Sequence, residues 1–185
     1  MATESNQISL GSDSIEFDLF NPYLEKFQSL DDLKSDKGTV IIFMCNHCPY
    51  VIHIIPKLVE LANYYIKKGI SFVGISSNDI LNYPEDSPEN MAHYVDKYDL
   101  PFPYLFDETQ EIAKAYDAAC TPDFYVYDGD NKLYYHGRFD ETRPQQGRQA
   151  TGDELAGALN LLLDEAEFDG VMYPSIGCSI KWKDE

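Results

Sequence analysis

Apolar positions along the chain follow two periods, and the places where the period changes mark the elements. Residues 39–44, Thr-Val-Ile-Ile-Phe-Met, form an unbroken run rich in β-branched side chains after Gly38, the pattern of a fully buried strand. Past Cys48 the spacing becomes helical: Val51, Ile54, Ile55, Leu58, Val59, Leu61, Ala62 and Ile66 share one face, which predicts an amphipathic helix to about Lys68. Pro49 suits a first turn, where its missing N–H has no partner to lose, and Pro56 predicts a kink. Gly69 ends that helix and residues 70–76 read as a second buried strand.

The flanking segments are read in the same way. Residues 15–20 alternate as a strand, Asn21-Pro22 turns the chain, and Ser29 caps a helical turn. Residues 78–86 are a polar loop, Ser87-Pro88 starts a helix to about Tyr98, and residues 101–106 are extended. A capping box at Asp107-Glu-Thr-Gln predicts a helix to about Ala118. A hairpin follows, with strands at 124–127 and 133–138 joined through Asp128-Gly129-Asp130, then a last helix from Thr151 to about Ala166. Residues 166–185 read as an irregular tail with enough apolar side chains to dock. This order predicts an α/β fold, a central mixed sheet with helices on both faces. No linker or shift in composition divides the chain, so residues 1–185 are expected to form a single domain.

Charge removes some partners. With 14 basic against 32 acidic residues the formal charge is −18, which disfavours nucleic acid and anionic membrane surfaces. The first residues are polar and acidic, unlike a secretory signal, and the apolar runs are too short to cross a bilayer. A cytoplasmic location is the expectation. Four cysteines are too few for a disulfide scaffold in such a chain.

Chemistry concentrates where the first strand meets its helix, in Cys45-Asn-His-Cys48. A thiol at a helix start faces unpaired backbone N–H groups at the positive end of the helix dipole, and both favour the reactive thiolate. His47 adds a donor in the same turn. A zinc site would need two further ligands, with only scattered His and the distant Cys120 and Cys178 on offer. A c-type haem site would need His where Pro49 stands. Without a Gly-rich phosphate loop there is no sign of a nucleotide or flavin. No metal or cofactor is expected, and electrons must come from another protein or a small thiol.

Four stretches carry a family likeness: Phe43-Met-Cys-Asn-His-Cys-Pro-Tyr-Val, Phe72-Val-Gly-Ile-Ser-Ser-Asn-Asp, Leu100-Pro-Phe-Pro-Tyr-Leu-Phe-Asp, and Cys120-Thr-Pro-Asp-Phe-Tyr-Val-Tyr-Asp. With these the chain resembles the thioredoxin-fold redoxins, in particular the peroxiredoxin-like branch related to alkyl hydroperoxide reductase and thiol-specific antioxidant proteins. The tail Gly-Cys178-Ser-Ile-Lys-Trp-Lys looks like a peroxiredoxin-like subgroup of that branch. The likeness covers roughly residues 15–182 and implies a thioredoxin-like fold with an N-terminal redoxin-type extension.

It also implies roles, and it has departures. In thioredoxin-type sites a Trp precedes the first cysteine and a Pro follows that cysteine by eight; here Pro56 lies eight after Cys48, and His47 stands in the Trp position. Aligned so, Cys48 is the attacking thiolate and Cys45 its disulfide partner, with the reverse order open. Cys48-Pro49 also resembles the Cys-Pro of several peroxiredoxins, whose motif has Thr three residues earlier and Pro seven earlier; Cys45 and Ile41 occupy those places. By resemblance His47 lowers a thiol pKa (a solvated loop residue being the alternative), and Thr121-Pro122 is a cis pair that presents the Thr121 backbone to a substrate.

The remaining candidates are weighed from the residues. Cys120 and Cys178 are resolving candidates, against a buried small apolar residue and a bystander thiol respectively. Arg143, with Arg138 and Asp140, offers a guanidinium for a thiolate, though a surface ion pair is the simpler expectation. His53 and His93 read as surface or packing residues, and His136 has no evident partner.

The expected activity is that of a thiol–disulfide oxidoreductase: thiolate attack on a protein or small-molecule disulfide, intramolecular resolution, and reset by an external thiol reductant. A thiol peroxidase reducing hydroperoxides, with antioxidant activity, is the alternative. A redox-responsive binding module without turnover is the second.

Overall fold

The computed structural model describes residues 2–184. Its framework is a seven-stranded sheet in the order β3-β2-β6-β5-β4-β8-β9. The strands are β2 (Asp18–Asn21), β3 (Lys26–Ser29), β4 (Thr39–Phe43), β5 (Ser71–Ser76), β6 (Tyr104–Phe106), β8 (Asp123–Tyr127) and β9 (Leu133–Gly137). β4 pairs in parallel with β5, and β5 with β6, while every other pairing is antiparallel. The sheet is therefore mixed, as the element order requires.

Period-two alternation in β4 divides the core. Val40 and Ile42, with Met44 just beyond, point into one hydrophobic layer, and Ile41 and Phe43 into the other. The first layer is covered by α2 (Pro49–Ile66), α3 (Pro88–Tyr98) and α5 (Asp153–Leu163). The second takes Leu30 from α1 (Leu30–Leu33) and Ala113 from α4 (Glu111–Ala115). Helix α2 buries Val51, Ile54, Ile55, Leu58, Ala62 and Tyr65. Tyr65 belongs to the buried face because its hydroxyl finds Ala156 O and Asn160 Oδ1, whereas Ile66 is left exposed. The N-terminal extension joins the sheet as the β2–β3 hairpin, with β2 against β6, and Ser29 caps α1 in a capping box with Asp32.

Three local expectations are corrected. Helix α4 is shorter than the sequence pattern suggests and lacks the capping box: Gln110 is its N-cap, in the left-handed region. The reason is Asp107, which is drawn into the core to accept from Ser77 Oγ at 2.8 Å and from the Ala113 N–H at 2.9 Å. Helix α5 starts behind Gly152, also left-handed, because the buried Asp140 carboxylate takes the Thr151 and Gly152 N–H groups at 2.7 Å each. The tail is not irregular throughout. It contains β10 (Ile176–Ser179), the middle strand of a second sheet between β1 (Ala2–Glu4) and β7 (Cys120–Thr121). No helix is long and apolar enough to cross a membrane among the described residues.

Candidate active site

The site forms where β4 ends. Cys48 is the N-cap of α2, with no side-chain capping bond of its own, so its sulfur sits at the helix start beside backbone N–H groups that have no intrahelical partner. Both cysteines of the pair are reduced and buried, Cys45 at 1% exposure and Cys48 at 0%. Opposite them stands β7, followed by a cis Thr121–Pro122 bond as the resemblance implies. The Cys48 sulfur is 3.2 Å from the Thr121 carbonyl oxygen, and the Cys45 sulfur 3.5 Å from the Thr121 hydroxyl.

The third thiol at this point comes from the far end of the chain. In the β10–β7 register Cys178 lies across from Thr121, the residue whose carbonyl meets the Cys48 sulfur, and Cys178 packs against the same layer as the thiol pair. Donation from Cys178, then from Cys45, holds Cys48 well below the ordinary thiol range, assisted by the Thr121 hydroxyl and the Val51 N–H. Burial and the nearby Thr121 carbonyl, which accepts only from the neutral thiol, oppose this. Cys45 is pushed up by donating to Cys48, by burial and by the Asp86 carboxylate, and Cys178 is pushed up by Cys48 and by burial.

Asp86 has no precedent in the sequence reading, which placed it in a polar loop. It is fully buried in a 3₁₀ turn (Pro84–Asp86), where it accepts from the Asn46 N–H and the Asn78 amide, each at 2.7 Å. His47 is half-buried and stacks on Tyr83, with Nδ1 2.7 Å from Asp86 Oδ2. The ring N–H is not aimed along that contact, so it is a close polar approach without a formed hydrogen bond. Cys45, His47 and Asp86 bring three metal-ligating atoms within 4.8 Å of one another, a fuller ligand set than sequence spacing offers. Tyr104 completes the floor, its hydroxyl 3.0 Å from Asn46 Oδ1. The signal for Asp86 lay in Asn78 and Asp86 bracketing a loop that follows a buried strand, where the chain passes the end of β4.

Other candidates fall elsewhere. Cys120 is buried, with only weak contacts to the Pro122 and Ser175 carbonyls at 3.9 Å, and desolvation raises its pKa strongly. The Arg143 guanidinium donates to the Thr142 and Asp140 carbonyls, and no guanidinium is among the groups that hold the Cys48 thiolate. Arg138 makes an ion pair with Glu154 at 2.6 Å, in keeping with the simpler expectation. His53 bonds Thr142 at 2.8 Å. His136 does have a partner: it is buried against Asp123 at 3.2 Å and stacks on Tyr125.

A buried thiol pair at the head of a helix, facing a strand that ends in cis-proline, defines a thioredoxin-like redox fold. The thioredoxin domain of a thiol-disulfide oxidoreductase from Bacteroides vulgatus shares that fold at a TM-score of 0.66 and 17% identity, over 85% of this chain and 99% of that one. The chain belongs to the AhpC/TSA family, which matches residues 10–136, and is thus an oxidoreductase of the redoxin type. It is 24% identical to the thiol-disulfide oxidoreductase ResA of Bacillus thuringiensis subsp. konkukian, over 77% of this chain and 78% of the relative. An uncharacterised conserved protein from Geobacillus kaustophilus superposes with a TM-score of 0.97 at 52% identity, covering 100% of this chain and 98% of that one. Members of the family act on disulfides or peroxides with thiol reductants.

Proposed function

We propose that this redoxin is a thiol–disulfide oxidoreductase in which Cys48 attacks and Cys45 resolves. The observation that carries this is position: Cys48 is the N-cap of α2, at the positive end of the helix dipole, whereas Cys45 lies ahead of the helix with its sulfur 3.5 Å from the Thr121 hydroxyl. The Cys48 thiolate displaces one sulfur of a substrate disulfide, forming a mixed disulfide and releasing a substrate thiolate that takes up a proton. Cys45 then gives up its proton and attacks Cys48. The second substrate thiol leaves, and the Cys45–Cys48 disulfide is reset by an external thiol. A Cys45→Ser/Cys178→Ser double variant should accumulate a mixed disulfide on Cys48 with a disulfide substrate; accumulation only in a Cys48→Ser/Cys178→Ser variant would invert the roles.

One contact supports the peroxidase reading beside it. The peroxiredoxin motif puts a Thr hydroxyl near the attacking sulfur, and here Thr121, from a different strand, brings its hydroxyl to 3.5 Å from the Cys45 sulfur and its carbonyl oxygen to 3.2 Å from the Cys48 sulfur. Mixing reduced protein with hydrogen peroxide discriminates the two. A second-order rate far above that of a free thiol, passing through a Cys48 sulfenic acid, would make it a peroxidase.

A further inference from the structure

The backbone edge of β7, beside Cys48, is where the sequence reading placed a bound substrate, yet the chain's own tail lies there. β10 runs antiparallel along β7 with Cys178 opposite Thr121 and Ser179 opposite Cys120. Gly177 makes the approach: a β-carbon there would lie 1.9 Å from the Thr121 carbonyl oxygen and 3.1 Å from the Pro122 nitrogen, so only glycine permits this seating. The strand is also anchored on both sides. Ser5 and Ser175 exchange two hydrogen bonds through Ser5 N–H and Ser5 Oγ, and Ile180 N–H bonds Ala119 O at 3.1 Å. The Lys181 carbonyl takes the Asp79 N–H at 2.8 Å, and its own N–H goes to Asn78 Oδ1 at 2.8 Å. Cys178 packs against the hydrophobic layer that also holds Cys45 and Cys48, so the docking brings a third thiol to the same side.

We propose that Cys178 is a third redox thiol of the site, held by β10 in the place of a bound peptide, and that the Cys45–Cys48 disulfide exchanges with it to give a Cys48–Cys178 disulfide. This rests on the function proposed above, which supplies the first disulfide. In the exchange Cys178 loses its proton and its sulfur attacks Cys48 Sγ. The Cys48–Cys178 bond forms as the Cys45–Cys48 bond breaks, and the electron pair leaves on Cys45, which takes up the proton. No net oxidation or reduction occurs. What changes is access, since Cys45 is 1% exposed whereas Cys178 is only half-buried. An external thiol then attacks Cys178 and expels Cys48 as the stabilised thiolate. The tail is in this way the outlet through which a reductant reaches a disulfide that is otherwise sealed.

The experiment treats the full-length reduced protein with hydroxyethyl disulfide, quenches with acid, alkylates, and maps disulfides by peptide mass spectrometry. The expected result is two populations, Cys45–Cys48 and Cys48–Cys178. The Cys45→Ser variant should close Cys48–Cys178 within the monomer at a rate independent of protein concentration. Cys45–Cys48 alone, with Cys178 alkylated in every molecule and Cys45→Ser arrested as a mercaptoethanol adduct on Cys48, overturns the inference while leaving the proposed function standing. Cys48–Cys178 alone, with no Cys45–Cys48 at any time point, overturns the exchange and removes Cys45 from the proposed mechanism. Neither disulfide overturns both.

Discussion

Gly177 lies on Thr121 so closely that a β-carbon on it would fall 1.9 Å from the Thr121 carbonyl oxygen. This one seating sets the register that brings Cys178 to Cys48 and helps keep Cys48 fully buried. Gly177→Ala inserts a methyl group into that space. Overpacking of this kind costs about 1–3 kcal/mol, which would multiply the population with β10 lifted by roughly 5–150-fold. Cys48 alkylation by a bulky maleimide should accelerate by a comparable factor, with the far-ultraviolet circular dichroism unchanged. An unaltered rate would mean that β10 does not limit access to Cys48.

The three clustered sulfurs should show one thiolate between them. Ultraviolet thiolate absorbance of the reduced protein should report one equivalent at neutral pH, because Cys48 is held down while Cys45 and Cys178 are held up. Cys48→Ser should abolish it. Cys178→Ala should diminish it at acid pH, since the first of the donors that lower Cys48 is removed. Persistence of the full signal in Cys48→Ser would place the thiolate on another cysteine.

Asp86 couples the loop after β5 to the thiol pair. Asp86→Ala removes the acceptor of the Asn46 N–H and the Asn78 amide, and a buried donor left without a partner costs about 1–3 kcal/mol. The denaturant midpoint should fall accordingly. Asp86→Asn keeps the shape and loses the charge, so Cys45, which the carboxylate pushes up, should titrate at lower pH. A Cys45 titration that stays put in Asp86→Asn would remove the carboxylate from its environment.

The parts of this arrangement that rest on local pattern were legible in the residues. β4 and α2 are readable because Val40, Ile41 and Ile42 cannot be solvated and the residues after Cys48 recur at helical spacing. The thiol pair was legible because it interrupts that junction. Long-range placement was not. Asp86 looks like a polar loop residue until Asn46 and Asn78 converge on it, and Asp107 looks like a helix cap until Ser77 draws it inward. Cys178 was a thiol in an apparently irregular tail, because a four-residue strand with glycine in it has too little periodicity to read. Its register depends on Thr121, more than fifty positions away.

Cys120 offers a control in which burial acts without redox chemistry. Its thiol is desolvated and has only weak partners, so the fold keeps it neutral well above its ordinary value of 9.0. Cys45 and Cys178 are raised as well. A raised thiol binds its proton in the folded chain where the unfolded chain has lost it, so its contribution is complete below pH 9.0 and is lost as pH rises above that value. Cys48, which is lowered, acts oppositely: its contribution is complete above 9.0 and is lost as pH falls toward its folded value. The stability of the reduced protein should therefore decline above pH 9.0. Each raised thiol contributes a slope of about 1.4 kcal/mol per pH unit. Cys120→Ala should lessen that slope by one such increment, measured by urea unfolding across the alkaline range, while the disulfide map and the rate of disulfide exchange stay as in the parent chain. A loss of exchange in Cys120→Ala would bring this fourth sulfur into the redox site.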